Sequence, residues 1–177
     1  MGDIRQVGVA DAPAVAAVLQ EAAQWLVDGG RTLWTAAHVS DERVLRDVEA
    51  GLFFADRREG EIVGVNKFEL EDLYFWPEIE RGTSAFVHKL AVRRQWAGQG
   101  VSSGLLAFAK ARAESLGLPW LRLDCRADRG SLRALYEGFG FGLHSVIHKG
   151  SVAFARYELR TGAQGPDQGF GAPSPNS

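Results

Sequence analysis

The sequence predicts one α+β domain, a mixed and mostly antiparallel sheet flanked by helices. Three observations predict it: short strand-like runs bounded by turn residues, helical stripes closed by glycine, and their order along the chain, βααβββαβαββ. Successive strands with no helix between them need antiparallel neighbours, because a parallel connection takes a longer crossover.

Residues 4–9 alternate as a short strand. Asp11 then offers a cap, Pro13 sits near the first turn, and Val15, Val18, Leu19, Ala22 and Leu26 recur at helical spacing until Gly29-Gly30. A loop carrying Trp34 follows. Ser40 can cap a second helix through Val44, Leu45 and Val48, which Gly51 ends. Residues 52–57 and 62–70 read as two strands around Glu59-Gly60, and residues 84–92 as another beyond a long acidic and aromatic loop at 71–83. The next helix opens near Gly100 with a stripe of Val101, Leu105, Phe108, Ala109, Ala113 and Leu116, closed by Gly117 and Pro119. Residues 120–124 read as a buried strand. Leu132, Leu135, Tyr136 and Phe139 define the last helix, ended by Gly140, and the final strands fall within 141–146 and 152–159. Residues 1–160 are thus the expected domain. The tail at 161–177, rich in Gly, Pro and polar residues, predicts disorder.

Composition narrows the function. The chain has 177 residues and is 46% hydrophobic, enough for one core. A net charge of −2 provides no basic face for nucleic acid or an anionic membrane surface. No apolar run approaches the roughly 20 residues that span a bilayer, and the first residues carry no signal-peptide pattern. A single cysteine, Cys125, excludes an internal disulfide and a thiolate-rich zinc site. His144 and His148 would share a helix face, but their run between Gly140 and Gly150 reads as strand, so no metal is expected. The expectation is a cytoplasmic protein without metal, nucleic-acid or membrane partners. Edge strands near the C-terminus allow a homodimer.

The chemistry concentrates at Leu90-Ala91-Val92-Arg93-Arg94-Gln95-Trp96-Ala97-Gly98-Gln99-Gly100-Val101-Ser102-Ser103-Gly104-Leu105-Leu106. A strand ends, close-set glycines follow, and a helix begins. A helix start presents unpaired N–H groups and partial positive charge, which bind phosphate oxygens. Glycines let the backbone approach without a Cβ, and Arg93 and Arg94 could add charge. The bland alternative is simple punctuation between strand and helix. A dinucleotide-binding turn is a second alternative, with Asp124 at the end of a later strand as the ribose partner. Five residues between Val92 and Gly98, and Ser103 at the third glycine position, oppose it.

Here the sequence resembles the GNAT superfamily of acyl-CoA-dependent N-acyltransferases. The resemblance rests on Leu90-Ala91-Val92, Gly98-Gln99-Gly100-Val101 and Leu105-Leu106, with Leu121-Arg122-Leu123-Asp124-Cys125 and Leu135-Tyr136-Glu137-Gly138-Phe139-Gly140-Phe141 downstream. It implies a GNAT-like fold and acetyl-CoA as co-substrate. It assigns the pyrophosphate to the backbone of Ala97, Gly98, Gln99, Gly100, Val101, Ser102 and Ser103, and pantetheine to the strand Leu90, Ala91 and Val92, with the Leu90 N–H at the thioester oxygen. Ala97 and Ser102 depart from the family's usual residues. Arg129, where many members carry Asn, is read as a phosphate contact.

The resemblance makes Tyr136 the general acid for the departing thiolate, although its place on an apolar helix face also suits a core aromatic. Glu69, Glu71, Asp72, Glu78 and Glu80 would attract a cationic amine and relay its proton. Glu78 is the first choice of base and His88 the second. Trp34, Glu71 and Trp76 are read as acceptor contacts. Cys125 has no base beside it, which implies direct transfer to a small-molecule or peptide amine. A CoA-binding sensor without turnover is the alternative function.

Overall fold

The structure, a computed structural model, describes residues 2–164. Its elements are β1 (Asp3–Gln6), α1 (Ala12–Asp28), α2 (Asp41–Glu49), β2 (Phe53–Arg58), β3 (Glu61–Glu69), β4 (Ser84–Val92), α3 (Val101–Ser115), β5 (Trp120–Arg126), α4 (Gly130–Phe139), β6 (Gly142–Lys149) and β7 (Val152–Arg160). The strands form one sheet in the order β1-β2-β3-β4-β5-β7-β6. Every neighbouring pair is antiparallel except β4 and β5. This is the mixed, mostly antiparallel sheet that the sequence predicts, and its elements follow one another along the chain as expected.

Strand alternation sends residues to two cores. Phe53 and Ala55 of β2 meet Val15, Val18 and Leu19 of α1 and Val44 and Val48 of α2. Phe54, between them, points to the other face, where Leu106, Ala109 and Ala113 of α3 pack with Leu121 and Leu123 of β5 and Tyr136 of α4. Local chemistry behaves largely as expected. The Ser40 hydroxyl accepts the Arg43 N–H at 3.3 Å and so caps α2. Glu59 and Gly60, at φ 52° and 82°, make the two-residue hairpin turn between β2 and β3.

Two boundaries differ from expectation. β1 stops at Gln6, and residues 9–11 form a 3-10 turn after Gly8 instead of more strand. Asp11 makes no side-chain cap on α1; its carboxylate pairs with Arg57 and accepts the Gly8 N–H at 3.4 Å, closing the 3-10 turn before the helix. At the other end, Thr161 belongs to the packed domain. It is buried, and its hydroxyl donates to the Leu118 carbonyl at 2.6 Å. Residues 165–177, the rest of the predicted disordered tail, lie outside the described residues.

One irregularity of the sheet positions the site. β4 and β5 pair only from Ser84↔Trp120 to Phe86↔Arg122. Beyond Phe86, β4 stays with β3 as far as Val92, while β5 follows β7 as far as Arg126. The two strands therefore part, each leaving an edge that faces the gap. β4 is also bulged: Val65 faces Ala91 and Lys67 faces His88, so Lys89 and Leu90 together oppose Asn66.

Candidate active site

The glycine loop lies at the end of the split. After Val92 a short 3-10 turn at Arg94–Trp96 leads to Gly98 and Gly100, both left-handed at φ 74° and 78°. Any other residue would be strained there. Gly100 is the N-cap of α3, which has neither a side-chain cap nor an acidic residue in its first turn. The helix ladder starts with the Gly104 N–H donating to the Gly100 carbonyl at 2.9 Å. The preceding N–H groups, those of Val101, Ser102 and Ser103, carry the positive end of the helix dipole outward, a cradle for anionic oxygens. The Val101 side chain is buried against Val63 and Leu105 and pins this first turn to the sheet. Gln99 is tied back to the Gln95 carbonyl through its side-chain amide, and Ala97 brings the chain into the loop.

A cavity of about 700 Å³ opens where β4 and β5 part. Its walls include Val87, His88, Lys89 and Leu90 of β4, Asp124, Cys125 and Arg126 of β5, Tyr136 of α4, and Trp34, Tyr74 and Phe75 from loops. Ala91 turns to the α1 face and is buried there, so only its backbone belongs to the split. Tyr136 combines both readings of it. Its ring packs near Phe141 and Tyr157, and it reaches the cavity wall. Burial, reinforced by Cys125 and Asp124, raises the phenol above its ordinary pKa and keeps it protonated.

The same lining holds an acid–histidine cluster. His88 Nε2 lies 3.3 Å from Asp72 Oδ2 and 3.5 Å from Glu69 Oε2, and Nδ1 lies 3.9 Å from Asp124 Oδ1. Burial alone would lower the His88 pKa. The bond to Asp72 and the charges of Asp124, Glu69 and Asp72 outweigh burial and raise it above 6.5. Burial pushes Asp124 up to about 7, against the pull of His88 and with help from Asp72. Burial also opposes ionisation of Asp72, but the His88 bond and the N–H groups of Phe75 and Tyr74 prevail and hold its pKa down. A group between pH 6 and 8 is suited to moving protons at neutral pH. Asp72, His88 and Asp124 also gather within 4.8 Å of one another, close enough to share one cation. No local pattern marks this set, because its members come from a loop and from two strands separated by α3.

Several predicted site residues stand elsewhere. Glu78 is absent from the cavity wall. It pairs with Arg156 at 2.6 Å, and although burial opposes it, its hydrogen bonds and Arg156 hold its pKa below the usual range. A carboxylate so held is a weak base. Trp76 is 1% exposed. It packs under the Arg156 and Arg122 guanidiniums, 4.5 and 5.4 Å from its ring, and anchors its loop in place of touching a ligand. Glu71 reaches the wall, but its carboxylate pairs with Arg81 at 3.0 Å. Trp34 lines the cavity, its ring centre 5.4 Å from Lys89 Nζ. Arg129 donates to the Thr32 carbonyl at 3.1 Å and has Asp128 beside it. Arg93 is committed to Glu21 and the Ile62 carbonyl, and Arg94 stacks 3.8 Å over Trp25. Cys125 is buried with its thiol pushed up to about 12, so at neutral pH it is not a nucleophile.

A split sheet, an uncapped helix start at its end and an acid–histidine cluster in the cavity lining suit a group-transfer domain. The comparisons with known proteins give it a family: residues 17–141 match the acetyltransferase (GNAT) family. The chain belongs to that family, and is an N-acetyltransferase. It is 27% identical over 137 residues to the uncharacterized N-acetyltransferase YesJ of Bacillus subtilis, covering 74% of this chain and 76% of that one. Its fold is similar to a GNAT acetyltransferase of Listeria monocytogenes (TM-score 0.74, 21% identity, 90% and 94% of the two chains). It is also similar to PaiA N-acetyltransferase of Thermoplasma acidophilum solved with coenzyme A (TM-score 0.72, 15% identity, 90% and 99%). A third neighbour is yncA of Salmonella typhimurium with acetyl-CoA (TM-score 0.73, 15% identity, 96% and 99%). At these identities the solved structures speak to the fold. Among the described residues no helix is long and apolar enough to cross a membrane.

Proposed function

We propose that the protein moves the acetyl group of acetyl-CoA directly onto a primary amine of a small molecule or peptide, in the cytoplasm. The observation that carries this reading is the parting of β4 from β5 beyond Phe86, with the α3 start at one end and His88, Asp124 and Tyr136 on its walls. In this reading the N–H groups of Gly98 to Ser103 hold the pyrophosphate, and pantetheine lies along the open edge of β4 at Leu90 and Val92.

The chemistry follows from the walls. A protonated amine is drawn to Glu69, Asp72 and Asp124. It gives one proton to the His88–Asp124 pair and becomes a nucleophile. Its nitrogen attacks the thioester carbon, and a backbone N–H near Leu90 steadies the oxygen as charge gathers on it. The carbon–sulfur bond then breaks and the nitrogen gives up its second proton, which leaves the neutral amide and a proton for the departing sulfur. Tyr136, kept protonated by burial, donates a hydrogen bond to the departing sulfur and stabilises it as thiolate until it takes up a proton. The raised thiol of Cys125 supports transfer without an acyl-enzyme. A sensor without turnover is the weaker reading, because sensing does not call for a titrating cluster beside the split.

The test is free-thiol release from acetyl-CoA with a panel of amines. Wild type should turn over, and Tyr136→Phe should lose about a hundredfold in kcat with little change in coenzyme A affinity. Coenzyme A binding without thiol release on any amine would favour the sensor. An unchanged kcat in the Phe variant would remove Tyr136 from the mechanism.

A further inference from the structure

The cavity lining carries charges of both signs. Glu69, Asp72 and Asp124 surround His88. Arg43, Lys67 and Lys89 are the cations beside them. Most of the cavity's cations already have counter-charges: Lys67 lies 3.3 Å from Asp47 and 3.0 Å from Glu69, Arg43 lies 3.6 Å from Asp47, and Arg126 lies 2.8 Å from Asp128. Lys89 differs. Among the described residues it is the one lysine or arginine of the cavity wall with no carboxylate within 4 Å. Its ammonium donates to the His38 carbonyl at 2.6 Å and sits 5.4 Å over the Trp34 ring. Those contacts hold the group in place without neutralising it.

The backbone is distorted at the same residue. Lys89 has φ 49°, in the left-handed region where a lysine is unfavourable, and occupies the bulge of β4. A bulge re-aims a side chain relative to regular alternation. Here it leaves both Lys89 and its neighbour His88 in the wall of one cavity. The field agrees: burial lowers the Lys89 pKa to about 8, and of the neighbouring charges Lys67 and Arg43 lower it while Asp47 and Glu69 raise it. An ammonium in that condition gains from an anion that brings its own charge.

We infer that Lys89 is the anion subsite of the acceptor, so that the amine to be acetylated carries a carboxylate or phosphate a few bonds from its nitrogen. The amine sits against Asp72, Asp124 and His88, and the anion sits against Lys89 beside Trp34. Amines without an anionic group, polyamines included, lack the second contact, and the unpaired ammonium repels a second positive charge. This inference rests on the transfer reading above for the seat of the amine.

The experiment compares matched acceptors by thiol release from acetyl-CoA: amino acids and dipeptides against their C-terminal carboxamides, and O-phosphoethanolamine against ethanolamine. The carboxylate and phosphate arms distinguish the two kinds of anion. Wild type should favour the anionic member of the better pair at least tenfold in kcat/KM. In Lys89→Met that ratio should collapse toward one, mainly through KM, and Lys89→Arg should restore much of it. A merely structural lysine would lower both members of a pair together and leave the ratio unchanged.

A second measurement needs no turnover and no variant. The chain has four lysines, Lys67, Lys89, Lys110 and Lys149, so ¹³C-methylation of the wild type gives a resolvable Lys89 signal. With coenzyme A bound, the members of the panel that carry a carboxylate or phosphate should raise its pKa, and their counterparts without that anion should not. A ratio near one in wild type, or a Lys89 signal indifferent to every anionic probe, overturns the subsite. Coenzyme A binding with no thiol release from any amine strikes the transfer reading instead, and the methyl titration then decides the subsite by itself.

Discussion

Gly64 tests the link between sheet packing and the anion cradle. It lies in β3 beneath the first turn of α3, and a Cβ added there would come 2.5 Å from Val101 Cγ1, 3.1 Å from Leu105 Cδ1 and 3.3 Å from the Ala91 carbonyl. Ordinary contact begins near 3.4 Å, so in Gly64→Ala the Val101 methyl must retreat by roughly 1 Å. Val101 cannot easily turn aside. A β-branched residue in a helix holds one rotamer, and this one is 1% exposed. The first turn of α3 therefore shifts, with the N–H groups assigned to the pyrophosphate. Overpacking of this kind costs about 1–3 kcal/mol of stability. Misaligning one charge-assisted N–H bond, worth roughly 1.5–3 kcal/mol, weakens coenzyme A about ten- to a hundredfold. Urea denaturation and titration calorimetry read the two effects. Gly104→Ala is the control in the same helix: its Cβ would meet only Ile4 Cδ1 at 3.7 Å, and replacing a helical glycine gains about 1 kcal/mol. It should bind coenzyme A as wild type does. Wild-type affinity in Gly64→Ala would refute the claim that the α3 start grips the cofactor from this position.

The remaining predictions concern the cluster and the C-terminal anchor. Asp124→Asn removes one of the charges that raise His88, so the ascending limb of kcat/KM against pH should move to lower pH; a limb that stays in place or rises argues against the pair. The folded Asp124 carboxyl is raised from 3.8 to about 7, so between those values the folded state binds more protons than the unfolded one. Wild type should therefore lose stability relative to Asp124→Asn as pH rises from about 4 to about 7, measured by urea midpoints at each pH. Thr161→Ala deprives the buried Leu118 carbonyl of its donor and should cost about 1–3 kcal/mol in urea denaturation without changing coenzyme A affinity. Equal midpoints would mean that the Thr161 hydroxyl bond contributes nothing to stability.

Local chemistry made much of the fold readable. The stripe Val15, Val18 and Leu19, the cap at Ser40 and the turn at Glu59-Gly60 act within one or two turns of chain, and each appears where the sequence points. The glycines at 98 and 100 were readable for the same reason, since left-handed φ angles and an uncapped helix start need those residues. Pairing across the fold was not readable. Glu78 and Trp76 look available in a loop, yet Arg156, from a strand far along the chain, takes the carboxylate and covers the ring. His88 and Asp72 could be named as candidates, but nothing local brings Asp124 to them. Lys89 gave no signal at all, because a bulge depends on the register of β3 against β4.

The sequence alone determined the order of elements, the apolar stripes of the helices and the place of the uncapped, glycine-rich helix start, because periodicity, caps and turn residues act over short stretches of backbone. Only the tertiary structure decided which acids surround His88, which cation is left without a partner, and where β4 leaves β5. Those outcomes depend on burial and charge balance among residues from separate elements, and neither exists until the strands have taken their neighbours.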